Sequence, residues 1–219
     1  MPGNNFASVT DAATLERQMR TWAGHARLID WHTPYQDVLE YGENARLKPP
    51  FARWFTGGTT NLCHNAVDRH LAERASQAAL VWESTEVDTT VSYSYAELHR
   101  EVNRAAAMLQ SLGVGQGDRV LIYMPMIPEA VFAMLACARI GAVHSVVFGG
   151  FASVSLARRI DDARPRLIVS ADAGSRAGKV IEYKPLLDHA IDLAEAKPAH
   201  VLLVDRKLAP MQTMAGRDV

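Results

Sequence analysis

The stretch DRVLIYMPMIPEAVFAMLACARIGAVHSVVFGGFASVSLARRIDDA, residues 118–163, decides the fold of this chain. It opens with a continuously apolar run at 118–124, which is typical of a strand buried on both faces of a sheet. The spacing of apolar residues then predicts a helix at 128–140, a strand at 142–148 and a second helix at 153–163. Strand, helix and strand in this order predict parallel strands that are joined by crossover helices.

The same alternation continues on both sides of this stretch. An amphipathic helix at 95–112 begins with a capping box, in which Ser94 caps the helix and Glu97 completes the pair. We therefore predict an α/β fold with a doubly wound, mostly parallel sheet and flanking helices. The remaining predicted elements are strands at 79–82, 91–93, 167–169 and 201–204 and a helix at 183–196.

The first 60 residues lack this alternation. Helices are predicted at 11–26 and 62–74, and the segment between them is rich in aromatic residues and proline. Such a segment is expected to lie across another surface rather than to fold alone. We expect it to be held by five aromatic side chains that become buried on the α/β layer, namely Trp31, Tyr35, Phe51, Trp54 and Phe55.

These patterns divide the chain into two parts. Residues 1–77 form an N-terminal arm with its helices, and residues 78–219 form an α/β part. The last residues, 211–219, contain no predicted closing element, so we expect the α/β part to be truncated after Val219.

Composition and charge exclude several classes of protein. Lysine and arginine are scattered and the formal net charge at pH 7 is -1, which argues against nucleic-acid and membrane-surface partners. The longest apolar stretch, near residues 130–140, is too short to cross a bilayer.

Cys63 and Cys137 belong to no Cys-x-x-Cys pair, so neither a disulfide framework nor a zinc site is predicted. Two free thiols, and a start without a secretory signal, indicate a cytoplasmic protein.

Two glycine-containing segments follow predicted strands, at the sheet edge where α/β proteins bind ligands. In the first, Gly149 and Gly150 lie in a turn at 148–151 that precedes a helix, for which Ser153 is the expected cap. Glycines there permit a positive φ and close approach of a ligand to backbone N–H groups. An ordinary tight turn explains the same residues equally well.

The second segment, SADAGSRAGK at 170–179, carries two cations three residues apart. Arg176 and Lys179 suit phosphate contacts, and Gly174 and Gly178 permit close approach of a ligand. A solvated basic loop is the alternative, which spacing alone slightly favours.

Other patterns argue against a dinucleotide-binding loop, a metal site and a catalytic triad. The run GVGQG at 113–117 follows a helix and precedes a strand, which indicates a helix end and a turn rather than a dinucleotide loop. The histidines show no metal-ligand spacing, and no serine or cysteine nucleophile motif accompanies them. His144, within a predicted buried strand, is expected to be a hydrogen-bonded core histidine.

Longer segments resemble the AMP-forming acyl-CoA synthetases, specifically the short-chain branch that activates acetate and propionate. The resemblance runs from about Gln18 to Val219, and the run ACARIGAVHSVVFGGF at 136–151 is the most specific to that branch. The amino-acid sequences at 61–69 and 183–187 resemble those of the propionate–CoA ligases more than those of the acetate–CoA ligases. Further matching segments are PFARWF at 50–55, GDRV at 117–120, YMPM at 123–126, RIDDA at 159–163 and SADAG at 170–174.

The resemblance implies a two-step reaction in the intact protein. ATP and a short-chain carboxylate form an acyl-adenylate and pyrophosphate, and CoA then displaces AMP. It implies CoA contacts at the 148–151 turn and at the basic segment, that is, at Gly149, Gly150, Arg176, Ala177, Gly178 and Lys179. The family often has arginine where this chain has Lys179, which keeps the charge but loses bidentate phosphate geometry.

The resemblance also implies what lies elsewhere. The ATP loop, the adenine and ribose contacts, the Mg site and the catalytic lysine are expected beyond Val219, so no catalytic and no metal-binding residue is assigned within this chain. The alternatives are an acetate–CoA ligase and, from another class, a non-catalytic α/β ligand-binding module. The resemblance leaves the oligomeric state open.

Overall fold

The structure is a computed structural model that describes residues 12–41, 52–84, 87–176 and 178–219. It contains two compact units, Met1–Asn61 and Leu62–Val219, which are described in turn.

The first unit consists of one helix and one hairpin. Helix α1 (Ala12–Ala26) is followed by strands β1 (Asp37–Tyr41) and β2 (Ala52–Thr56), which pair in antiparallel register. The sequence predicted the helix but not the hairpin. Both strands are only five residues long, and β2 does not alternate between buried and exposed positions, so they lack the period of two that marks a strand.

Aromatic rings pack together inside this unit. The ring centroids of Trp31, Tyr35 and Phe55 lie 5.2–5.4 Å apart, and the Trp31 indole donates a hydrogen bond to the Ala26 carbonyl. Trp54 is 45% exposed and meets Trp22 edge-on, so its expected full burial is wrong. Phe51 lies outside the described residues, and packing of the cluster on the α/β layer stays a prediction.

The second unit begins with a broken helical segment and continues with the alternating elements. Its predicted helix at 62–74 is interrupted by a 3-10 turn at Asp68–His70. The elements are α2 (Leu62–Ala66), α3 (Leu71–Arg74), β3 (Ala78–Ser84), β4 (Thr89–Ser94), α4 (Tyr95–Ser111), β5 (Arg119–Met124), α5 (Pro128–Ile140), β6 (Val143–Phe148), α6 (Ser153–Ala163), β7 (Leu167–Ala171), β8 (Ala173–Arg176), β9 (Lys179–Glu182), α7 (Tyr183–Leu193) and β10 (His200–Val204).

Four parallel strands form the central sheet in the order β10-β7-β5-β6. Successive residues of β5 point into two different cores, with Ile122 facing one and Leu121 and Tyr123 facing the other. Buried residues of α4 and α5 fill the first core, and those of α6 and α7 fill the second. Helices therefore cover both faces, and the predicted doubly wound α/β fold is confirmed.

Local signals account for several element ends. The Ser94–Glu97 capping box is present, and α4 begins directly after Ser94 as predicted. Gly141 ends α5 in the left-handed conformation, at φ 75°, which glycine adopts without a steric penalty. By contrast, Ala152 and not Ser153 precedes the first turn of α6, because the Ser153 hydroxyl donates instead to the Leu186 carbonyl at 2.9 Å.

Two further expectations about the second unit are wrong. His144 is exposed. Strand β6 is an outer strand of the described sheet, and most of its side chains are only partly covered or exposed. The last residues, for which no closing element was predicted, pair with β10 through an isolated parallel bridge: the Val219 amide donates to the Val201 carbonyl, and the amides of Val201 and Leu203 donate to the carbonyls of Arg217 and Val219.

A buried ion cluster fixes this last segment to α7. The Lys184 ammonium is 2% exposed and lies 3.0 Å from the Asp218 carboxylate, and Arg217 contacts both Asp218 and Asp188. Burial favours the neutral acid, but hydrogen bonds from Arg217, the Met214 amide and Lys184 outweigh it and lower the pKa of Asp218 to about 2.

Stability should therefore fall in acid. A carboxylate whose pKa is depressed in the folded state stabilises that state above its ordinary pKa, and this contribution is lost as pH falls towards the folded pKa. Between pH 4 and pH 2 the Asp218 contribution of about 2 kcal/mol should disappear. The measurement is urea unfolding across this range for the native chain and for Asp218→Asn, with the exposed Asp162→Asn as control. Equal acid slopes in all three proteins would contradict the assignment.

Candidate functional site

The first candidate segment, residues 148–151, connects β6 to α6 at the carboxyl end of the sheet. Gly149 is buried and Gly150 is exposed. The Tyr123 hydroxyl, which lies beneath the turn, donates to the carbonyls of Phe151 at 3.2 Å and Gly149 at 3.5 Å. Burial, followed by repulsion from the neighbouring Tyr183 phenol when both are ionised, raises the pKa of Tyr123 to about 12, so this phenol stays neutral and able to donate.

The second candidate segment is a hairpin and not the predicted irregular loop. Strands β8 and β9 pair in antiparallel register, with Gly174 opposite Ile181 and Arg176 opposite Lys179. Gly178 lies at the tip with φ 74°, and no atom lies within 4 Å of the position a Cβ would take. Lys179 is exposed. Ala177 and the Arg176 side chain lie outside the described parts of the chain.

The structure brings the turn and the hairpin together at one side chain, Tyr183. Its phenol lies against both Gly149 and Gly174, and its ring packs against that of Tyr123 with centroids 5.1 Å apart. The Arg176–Lys179 pair lies two residues farther along the hairpin than Gly174, which is about 7 Å. The two segments singled out in the sequence therefore approach each other. The contact between them is made through Tyr183 by their glycines, Gly149 and Gly174, and not by the cations of the hairpin.

Asp172 fixes the base of the hairpin, a role the sequence did not reveal. Its side chain is 1% exposed and accepts backbone hydrogen bonds from Arg206, Leu208 and Ala209, at 3.2, 2.8 and 3.3 Å. Its carbonyl accepts the Tyr183 amide at 2.9 Å. One residue thus connects the hairpin, the start of α7 and the loop after β10.

A second polar cluster lies away from the candidate site. The Arg139 guanidinium donates to Asp68, to Asn103 and, at 3.2 Å, to the Cys63 sulfur. Burial raises the pKa of the Cys63 thiol although Arg139 opposes this, and burial raises the pKa of Cys137 to about 12. Both thiols are fully buried and protonated, so they fill the core and are not nucleophiles.

In the described ranges, no three side chains of histidine, cysteine, aspartate or glutamate are grouped to hold a metal ion. No helix in the part of the chain that the structure describes has the length and apolar character needed to cross a bilayer.

Comparison with known proteins assigns the chain to a family of enzymes. The family model described as AMP-binding enzyme matches residues 67–218, which is most of the chain. The chain belongs to the AMP-binding enzyme family. A model described as the acetyl-coenzyme A synthetase N-terminus matches residues 13–66.

Individual members of the AMP-binding family match over nearly the whole chain. The propionate–CoA ligase of Salmonella typhimurium is 60% identical over 198 residues, covering 90% of this chain and 31% of that protein. An acetyl-coenzyme A synthetase of Methylobacterium radiotolerans is 45% identical over 211 residues, covering 95% and 32%. An acetoacetyl-CoA synthetase structure from Streptomyces lividans superposes with a TM-score of 0.80 at 27% identity, covering 95% and 32%. The chain thus spans about a third of the length of these relatives.

Proposed function

We propose that the protein carrying this chain is an AMP-forming propionate–CoA ligase. The observation that carries the proposal is the meeting of the 148–151 turn and the basic β8–β9 hairpin at the carboxyl end of the sheet, in a chain 60% identical to a propionate–CoA ligase. Ligands of open α/β sheets bind at this edge, and the exposed Lys179 near the hairpin tip is a cation that suits a phosphate-rich ligand.

The proposed reaction has two steps. The propionate carboxylate attacks the α-phosphorus of ATP and displaces pyrophosphate, which gives propionyl-adenylate. The CoA thiol, after losing its proton, attacks the propionyl carbonyl and displaces AMP, which gives propionyl-CoA. In this scheme the chain contributes part of the CoA site, with Arg176 and Lys179 binding phosphate and Gly149, Gly150, Ala177 and Gly178 offering backbone to the ligand.

The described residues of the hairpin tip are open to an anionic ligand such as CoA. The exposed Lys179 and the open space around Gly178 leave room for an anionic ligand at the hairpin tip. The proposal places the ATP and Mg sites, and the catalytic lysine, in sequence beyond Val219.

The organisation of the intact protein follows the same proposal. Residues 1–77 are the arm of a short-chain synthetase, and residues 78–219 begin its adenylation domain. Its partners are a short-chain carboxylate, ATP and CoA, its compartment is the cytoplasm, and nucleic acid and membranes have no part in the reaction.

Acetate is the alternative substrate, and the 45% identity to an acetyl-coenzyme A synthetase favours keeping it in the test. The experiment compares acetate, propionate and butyrate in a coupled assay of AMP release by the intact protein. We expect kcat/KM to be highest for propionate, by about tenfold over acetate, because one methylene in an apolar pocket is worth ~1–3 kcal/mol. A higher value for acetate would replace propionate in the proposal. Absence of AMP release with all three acids would favour a non-catalytic binding module.

A further inference from the structure

We infer that Tyr183 is a positioning residue for the CoA site, because its phenol sets the spacing between the 148–151 turn and the β8–β9 hairpin. The inference rests on the proposed function for its ligand and on packing geometry for its mechanism. It also gives the two junction glycines a different purpose from the one the sequence suggested.

Gly149 leaves the space that the phenol occupies. A Cβ added at Gly149 would overlap the Tyr183 hydroxyl and lie 2.7 Å from ring atom Cζ, closer than real side chains approach. The backbone there does not have the positive φ that favours glycine. The absence of a side chain at Gly149 is therefore required by Tyr183 and not by backbone conformation.

Gly174 meets the same phenol from the hairpin. A Cβ added there would lie 2.9 Å from the Tyr183 hydroxyl, 3.1 Å from Cζ and 3.3 Å from the Pro125 side chain. Like Gly149, it does not have a positive φ. Glycines from two separate elements thus contact the same end of one phenol, so this side chain limits how closely the turn and the hairpin can approach.

The ring cannot move aside without breaking other contacts. Tyr183 is the first residue of α7 and is 7% exposed, and its backbone N–H donates to the Asp172 carbonyl at 2.9 Å. One face of the ring packs on Tyr123, whose own hydroxyl donates to the turn. A change at either glycine must therefore shift the turn or the hairpin, and with it the donors and cations proposed to bind CoA.

The test is a double-mutant cycle in the intact protein between Gly149→Ala and Tyr183→Ala. Each single variant should raise KM for CoA about tenfold. In the double variant the methyl group fits the space that the phenol has left, so its KM for CoA should be about fivefold lower than the product of the two single effects predicts. Propionate-dependent pyrophosphate exchange, which needs no CoA, should change by a smaller factor. Tyr183→Phe, which keeps the ring but removes the hydroxyl nearest to both glycines, should raise KM for CoA by less than Tyr183→Ala does.

Two controls separate this inference from the proposed function. Gly115→Ala adds a methyl group where the nearest atom, a carboxylate oxygen of Asp118, lies 3.8 Å away, and it should leave KM for CoA unchanged. The same cycle is read by thermal unfolding, which needs no activity. Additive effects on both KM and melting temperature would overturn the inference while leaving the ligase proposal intact. An unaltered protein that forms no thioester would contradict the ligase proposal, and the thermal cycle would still decide whether Tyr183 sets the spacing.

Discussion

Asp172→Ala should lower the free energy of unfolding by about 3–5 kcal/mol, since each buried N–H left without an acceptor costs roughly 1–3 kcal/mol. The carboxylate accepts three backbone N–H groups from the loop after β10 while being 1% exposed. The measurement is urea unfolding of the native chain and the variant at pH 7.

Asp205 provides the matched control for this prediction. It is an exposed aspartate in the same loop and accepts one backbone N–H, from Lys207 at 2.9 Å. Because water can take over that hydrogen bond, Asp205→Ala should lower the unfolding free energy by less than about 1 kcal/mol. Asp172→Asn keeps the shape and one acceptor oxygen, so its effect should lie between the two. Equal losses for Asp172→Ala and Asp205→Ala would show that the carboxylate does not organise the loop.

Arg176→Ala in the intact protein should raise KM for CoA by roughly 10- to 100-fold. A charge-assisted hydrogen bond is worth about 1.5–3 kcal/mol, which corresponds to one to two decades in affinity. The first step, adenylate formation, should be nearly unaffected, because the removed group is proposed to bind CoA and not ATP or carboxylate. In free-energy terms the variant loses the binding of one substrate and not stabilisation of the adenylation transition state.

The experiment for Arg176 pairs two assays on the same preparation. Pyrophosphate exchange without CoA reports the first step, and thioester formation across a CoA titration reports the second. Arg104→Ala on α4, which lies on the other face of the sheet and is exposed, controls for loss of a surface charge. A parallel fall in both assays would mean that Arg176 supports the fold. No change in either would mean that the hairpin tip is an ordinary solvated turn.

The elements with a strong period were predicted correctly from the sequence. The helix bounds at 128–140 and 153–163 are confirmed to the residue, because a proline begins the first and regular apolar spacing defines both. The capping box at Ser94 likewise fixes the start of α4. These signals are local, so one sequence is enough to recognise them.

The features that the sequence did not predict depend on contacts between residues far apart in the chain. The β8–β9 hairpin resembles a loop in sequence because it is rich in glycine and small residues, and Asp172 and Tyr183 secure it through partners elsewhere in the chain. His144 was expected to be buried because its strand is apolar, but only the sheet order reveals that β6 is an outer strand of the described sheet. Sequence spacing likewise gave no indication that one phenol contacts both Gly149 and Gly174.

The most direct test of the ligase proposal is exchange of labelled pyrophosphate into ATP by the intact protein, with propionate present and CoA absent. An AMP-forming ligase makes its adenylate reversibly before CoA acts, so the exchange should depend on propionate and should need no CoA. The 219-residue chain alone is expected to give no exchange, because adenylation needs positioned cations and backbone donors around the transferring phosphate. Propionate-dependent exchange well above the no-enzyme blank is the result we predict for the intact protein. No exchange by the intact protein, or exchange by the 219-residue chain alone, would contradict the account.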